Sequence, residues 1–168
     1  MRSRARAVVL AVVMMAGPVR AEVIDRVLAV VSGGLVLQSD VAASTRLRLV
    51  EDAAPGDRIQ VALDRLIERR LMLLEVDRYG PPEPSQADID AGFAAIARRT
   101  ASGDTLESVL AHTGLTIEQL RAFVRDDLRI RAYLLQRFGA SPAPTLVRDW
   151  VAGLRRRADV NVLYLPGR

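Results

Sequence analysis

Val23-Ile24-Asp25-Arg26-Val27-Leu28-Ala29-Val30-Val31-Ser32-Gly33-Gly34-Leu35-Val36-Leu37-Gln38-Ser39-Asp40 is the stretch whose reading decides the fold. Its first half is rich in β-branched side chains, which fit a pleated surface. Gly33-Gly34 can take positive φ at both central positions of a tight primed turn, and Leu35-Val36-Leu37 is then the return strand. A single helix through this region would have to absorb two adjacent glycines, at about 1 kcal/mol each. The far end of the chain supplies a partner. Trp150-Val151-Ala152-Gly153-Leu154-Arg155-Arg156-Arg157 has helical spacing, and in the residues that follow Val160, Val162 and Tyr164 alternate with Asp159, Asn161 and Leu163. Everything between reads as helix. The expected fold is therefore mainly α, a helical core with a small antiparallel sheet built from the N-terminal hairpin and the C-terminal strand.

Between the two ends, Asp40 or Ser39 can cap a helix of about Val41 to Glu51, stopped by Ala54-Pro55-Gly56. Ile59, Leu63, Leu66, Ile67, Leu71 and Leu74 recur at three- and four-residue steps, and Met72, Leu73 and Val76 widen the stripe. This is the expected central helix. Tyr79-Gly80-Pro81-Pro82-Glu83-Pro84 ends it and forms a stiff linker. Capping boxes are expected at Ser85 with Asp88, Asp104 with Glu107 and Thr116 with Gln119, and Leu115 and Leu120 stand where a hydrophobic staple needs its partners. Gly114 and Gly139 are helix stops, and Ser141-Pro142-Ala143-Pro144 is the second proline-rich break before a last helix striped by Val147, Trp150, Val151 and Leu154.

The first residues read as a targeting segment. Arg2, Arg4 and Arg6 form a basic region, Ala7 to Ala16 is apolar, and Val19-Arg20-Ala21 is a cleavage site, so residues 1–21 are expected to be a signal peptide cut after Ala21. The apolar run is shorter than the roughly 20 residues that span a bilayer, so the membrane is a transient contact only. Removing the segment takes four of the 24 basic residues and none of the 20 acidic ones, leaving a formally neutral mature chain of 147 of the 168 residues. The basicity therefore argues for no nucleic acid partner. Every basic side chain is Arg, which we attribute to genome composition. Residues 22–168 suit one domain, closed by the helix and strand of 141–168. With no Cys, its stability has to come from packing without disulfides.

Chemistry is sparse. His112 is the only histidine, and a general base needs partners that hold and tune it. Asp126-Asp127 beside Arg125 and Arg129 reads as a neutralised helix face. Ser32-Gly33-Gly34 lacks the spacing of a phosphate loop. No catalytic residue, metal ligand set or cofactor site is expected. The remaining signal is apolar: Phe93, Ile96, Leu106, Val109, Leu110 and Phe123 could line a groove between the middle helices, with ordinary core as the competing reading.

The block from Val23 to Asp40 resembles the start of the N-terminal domain of SurA-type periplasmic chaperones, in which a D-x-V-x-A-V-V strand precedes a short turn, an apolar return strand and an acidic-Ser-Asp helix start. Gln38 stands here in place of the usual acidic residue. Leu63-Asp64-Arg65-Leu66-Ile67-Glu68-Arg69-Arg70-Leu71-Met72-Leu73-Leu74-Glu75 is similar to the family's LIxxxLLxQ helix. The likeness continues through the Ile89 helix and Leu115-Thr116-Ile117-Glu118-Gln119-Leu120-Arg121, and ends in the closing helix and strand from Trp150 to Val162. Family members usually carry parvulin prolyl isomerase domains before the closing helix; here that interval is only Gly139 to Pro144, and parvulins use paired histidines.

The resemblance thus implies the chaperone core without the isomerase: a non-enzymatic, ATP-independent periplasmic holdase. It would bind unfolded outer-membrane or exported polypeptides through the apolar groove. Two alternatives stay open. One is a peptidyl-prolyl cis-trans isomerase. The other is a non-catalytic adaptor or subunit of a separate parvulin partner, including a homodimer formed by swapping the terminal strand.

Overall fold

A computed structural model describes residues 25–49, 58–100 and 105–163. The signal segment, Val23 and Ile24, the stop at Ala54-Pro55-Gly56, Asp104, and Tyr164 lie outside these ranges.

The hairpin forms as its side chains require. β1 (Val27–Val31) pairs antiparallel with β2 (Gly34–Leu37), joining Val31 to Gly34, Val30 to Leu35 and Ala29 to Val36, with a bulge between Val27 and Ala29. The turn sits one residue earlier than expected. Ser32 (φ 46°) and Gly33 (φ 82°) are its central positions, and Gly34 is already in the strand. Gly34 has a different duty: a Cβ there would lie 2.4 Å from the Arg70 guanidinium packed beneath it. β3 (Val160–Val162) pairs antiparallel with the other side of β1, giving the order β2-β1-β3. The two ends of the chain therefore share one sheet, and β3 is docked on its own chain.

α1 (Gln38–Arg46) follows β2 without a loop. It starts three residues before the expected Val41 and stops well before Glu51. Leu37 is its N-cap residue, and Asp40, three residues on, accepts the Leu37 N–H at 2.9 Å. Arg48 (φ 50°) breaks the helix in a left-handed conformation, with the Leu49 N–H reaching back to the Ser44 carbonyl at 2.8 Å.

α2 (Arg58–Tyr79) is central, packing on the sheet, α1, α5 and α6. α3 (Gln86–Thr100) is capped by the Ser85 hydroxyl, which accepts the Asp88 N–H. α4 (Leu106–Thr113) starts from Thr105, whose hydroxyl accepts the Ser108 N–H, and ends at Gly114 in the left-handed region. α5 (Ile117–Phe138) has both halves of the Thr116–Gln119 capping box. α6 (Pro144–Arg157) leads into β3.

The core falls into three apolar clusters, two of which include α2. The first joins Leu28, Val31 and Val36 of the sheet to Leu63, Ile67 and Leu71 of α2 and Leu154 of α6. Burying such a side chain stabilises by about 1.5–3 kcal/mol. The second holds Leu47, Ile96, Val109, Leu110, Leu120 and Val124, with the staple residue Leu115 packed against it. Here α3 crosses α5 closely, since a Cβ on Gly92 would lie 2.6 Å from Val124. The third joins Val76, Ile130 and Tyr133, and the Trp150 ring meets Tyr133 at a tilt and Phe138 edge-on, with centroids 5.8 and 5.7 Å apart. Arg129 of α5 ties the α2–α3 linker down. One guanidinium nitrogen donates to Asp77 at 3.0 Å. Nε lies 3.2 Å from Glu83 but off the line of its N–H, so that contact is ionic without being a hydrogen bond.

Candidate functional site

The concave apolar surface lies where three helices fail to close over one another. α2 supplies the floor: Leu66, Arg69, Arg70 and Leu73 fall on successive turns of one face. Asp40, Ala43 and Ser44 of α1 form one wall, and Gln119, Ala122, Phe123 and Asp126 of α5 the other, with Leu115 just before that helix. Leu35 and Val36 of β2 border the cleft beside the α1 N-terminus, and Leu49 borders it beyond the other end. Its volume is about 420 Å³. A second cleft of about 520 Å³ runs between α3 and α5, lined by Gly92, Ala95, Ile96, Val124 and Leu128, with Arg98, Arg99 and Arg131 at its rim. Phe123 and Leu49 line both.

Phe123 sits between them. The Arg69 guanidinium lies 3.8 Å above its ring, donates to its backbone carbonyl at 2.8 Å and meets Asp127 at 3.4 Å. Burial lowers the Arg69 pKa from the usual arginine value, and the charges of Asp127 and Asp126 work against that shift. Asp126 faces its neighbour Arg125 at 2.9 Å, and this hydrogen bond raises the Arg125 pKa. The charges along this wall are thus paired locally, and the floor combines the apolar Leu66 and Leu73 with Arg69 and Arg70.

At the α1 end, the motif residues of the opening block come together. The Ser39 hydroxyl and N–H both donate to the Asp25 carboxylate, the latter at 3.2 Å. Burial raises the Asp40 pKa, the Leu37 N–H opposes that, and the Asp25 charge adds to it. Asp25, Ser39 and Asp40 therefore lock the hairpin to the start of α1, and the sequence motif has a structural explanation.

His112 is exposed, with Nδ1 2.7 Å from the Ser108 carbonyl one turn back on its own helix. Among the described residues, no three metal-ligating side chains gather.

The six groove candidates are distributed as follows. Ile96, Val109 and Leu110 are buried in the second cluster, with Phe93 and Leu106 packed against it. Arg121 lies over the Phe93 ring at 4.9 Å. Phe123 and Ile96 reach the clefts; the other four do not line either. Sequence reasoning missed Leu66, Leu73, Ala122 and Leu49 as cleft residues. The one available signal was the widening of the α2 stripe at Met72 and Leu73, more apolar surface than a single packed face needs.

No family model matches the chain. It is similar to proteins named Chaperone SurA from Escherichia coli O6:H1, Escherichia coli O157:H7 and Shigella flexneri, in each case 32% identical over 120 residues. The match covers 65% of this chain and 27% of each relative, so the chain spans about a quarter of the length of the curated relatives it matches. The comparison supports a SurA-like relationship.

Proposed function

We propose that this chain is an ATP-independent holdase chaperone of the periplasm, sheltering apolar segments of unfolded outer-membrane or exported polypeptides. The observation that carries the reading is the open cleft between α1, α2 and α5, whose floor, apolar at Leu66 and Leu73, has no covering element among the described residues. The likeness to Chaperone SurA agrees with it. A holdase without a nucleotide cycle must release what it binds, and a cleft of a few side chains offers modest, reversible burial. Phe123 and Ile96 enter this reading as contact residues. Phe93, Leu106, Val109 and Leu110 enter it as the packed layer that holds α3 and α4 against α5. The periplasmic assignment rests on residues 1–21 and the resemblance. Among the described residues no helix is long and apolar enough to cross a membrane. The reading is non-enzymatic, and rates on a prolyl peptide are expected to equal the uncatalysed rate.

The test fills the cleft without emptying the core. Ala122→Trp adds bulk on a cleft wall in the second turn of α5. Mature protein is expected to suppress aggregation of a urea-diluted porin-type β-barrel protein near stoichiometry. The variant should lose that suppression at several-fold excess with its thermal midpoint kept. No suppression by the unaltered protein removes the holdase reading; equal suppression by a folded variant removes this cleft.

A further inference from the structure

We propose that a bound segment is held by its main chain as well as by its side chains, adding to the outer edge of β2 as an extra strand paired with Leu35. This rests on the holdase reading and specifies how the cleft takes a segment of any sequence.

The ladder on β1 fixes which backbone groups are spent. The Ser32 N–H donates to the Asp159 carbonyl at 2.7 Å, and the Leu163 N–H donates to the Leu28 carbonyl at 2.9 Å. Val30, between them, therefore turns its own N–H and C=O toward β3, and Ala29 and Val31 turn theirs toward β2. Their partners Val36 and Gly34 face inward. Leu35, opposite Val30, turns both its N–H and its C=O away from the sheet, where neither meets a partner among the described residues. Further along the same edge, the outward N–H of Leu37 is already taken by the Asp40 carboxylate. The edge thus offers one donor and one acceptor at a single residue, and that residue borders the 420 Å³ cleft.

The chemistry that satisfies such an edge is an extended peptide backbone, which every unfolded chain carries. Alternate side chains of the added strand point to opposite faces, so one set can enter the cleft over Leu66 and Leu73. The opposite edge of the sheet, β3, also turns backbone groups outward at Val160 and Val162, but neither residue borders this cleft. Main-chain pairing at Leu35 together with an apolar cleft makes binding indifferent to sequence while keeping it weak.

The test separates backbone from side chain at position 35. The Leu35 N–H is outside the β1–β2 ladder and the preceding Gly34 is in extended backbone, so Leu35→Pro removes a donor from the edge without removing a ladder bond. The probe is a reduced, carboxymethylated and permanently unfolded polypeptide, its binding read by fluorescence anisotropy on the mature protein. Leu35→Thr is expected to bind within about threefold of the unaltered protein and Leu35→Pro to bind at least tenfold more weakly, consistent with loss of a hydrogen bond that nothing else satisfies. In the unaltered protein, saturating probe should slow exchange of the Leu35 amide at least tenfold, a readout that holds even if the proline variant fails to fold. Undiminished binding by folded Leu35→Pro, or an unprotected Leu35 amide in the saturated complex, overturns strand addition and leaves the holdase reading standing. Equal losses in the Thr and Pro variants overturn it in favour of a side-chain contact. Failure of the unaltered protein to bind the probe removes both.

Discussion

Asp40 shows how one side chain can serve the fold at a cost. Its carboxylate satisfies the Leu37 N–H at the start of α1, yet burial raises its pKa and the nearby Asp25 charge adds to the rise. A folded-state pKa above the unfolded value means the native state holds the proton more tightly. The stability this contributes is present below the ordinary carboxylate range and is lost as pH rises through the folded pKa. Asp40→Asn keeps an oxygen for the Leu37 N–H and has no charge to bury. The variant's urea midpoint is therefore expected to gain on that of the unaltered protein as pH rises from about 3 to 7. A difference that stays flat across this range would show that the helix N-terminus, which favours negative charge, cancels the burial penalty. The same residue marks a limit of sequence reading. Asp40 was a candidate N-cap, but the cap position is Leu37, because β2 runs into α1 without a loop and the carboxylate reaches back three residues. The hairpin turn slipped by one for a similar reason. Either Ser32-Gly33 or Gly33-Gly34 could provide positive φ, and the choice follows the pairing of Val31 with Gly34 in the β1–β2 ladder, which the turn residues alone do not fix.

Helices and their order were legible wherever amphipathic stripe and cap agreed, as in α5, where Thr116, Gln119 and Gly139 all took their expected places. Ends without such agreement moved. α1 stopped early because Arg48 takes a left-handed conformation that nothing in its side chain announces, and α4 takes Thr105 as its cap. How closely the elements approach one another was not legible at all, and two glycines bring that out. A Cβ at Gly92 meets Cγ1 of Val124, a buried β-branched residue on the facing helix, so Gly92→Ala forces α3 and α5 apart. The expected cost is about 1–3 kcal/mol, as for overpacking generally. A Cβ at Gly34 meets only the far end of the exposed Arg70 side chain, which can swing aside. Gly34→Ala is therefore expected to shift the urea midpoint by less than a third as much. Equal costs would mean that Arg70 is pinned more firmly than its exposure implies.

Across the whole molecule, the cleft is the feature that no single segment of sequence contains. Its floor, walls and mouth come from α2, α1, α5 and β2, so it exists only once those elements are packed, and of the six candidates read from sequence only Phe123 lines it. The same packing divides the protein unevenly. The first and third clusters share α2 and α6, with Trp150 packed against both, and the sheet joins the chain ends over them. The second cluster holds α3 and α4 through Ile96, Val109 and Leu110, and its rim contacts include the exposed pairing of Arg121 with Asp90. Exposed pairs of this kind contribute little, about 0–1 kcal/mol. Regions with fewer buried contacts open at lower free energy than the global transition. Under native conditions the buried amides of α3 and α4 are therefore expected to exchange with solvent at least tenfold faster than those of α2. The fluorescence of Trp150, the only tryptophan, is expected to report the later and larger transition in urea. Uniform protection across α2, α3 and α4 would instead mean that Gly92 and Val124 lock the second cluster into one cooperative unit with the rest. In that case the second cleft would be a fixed surface, since α3 could not part from α5 without unfolding the whole.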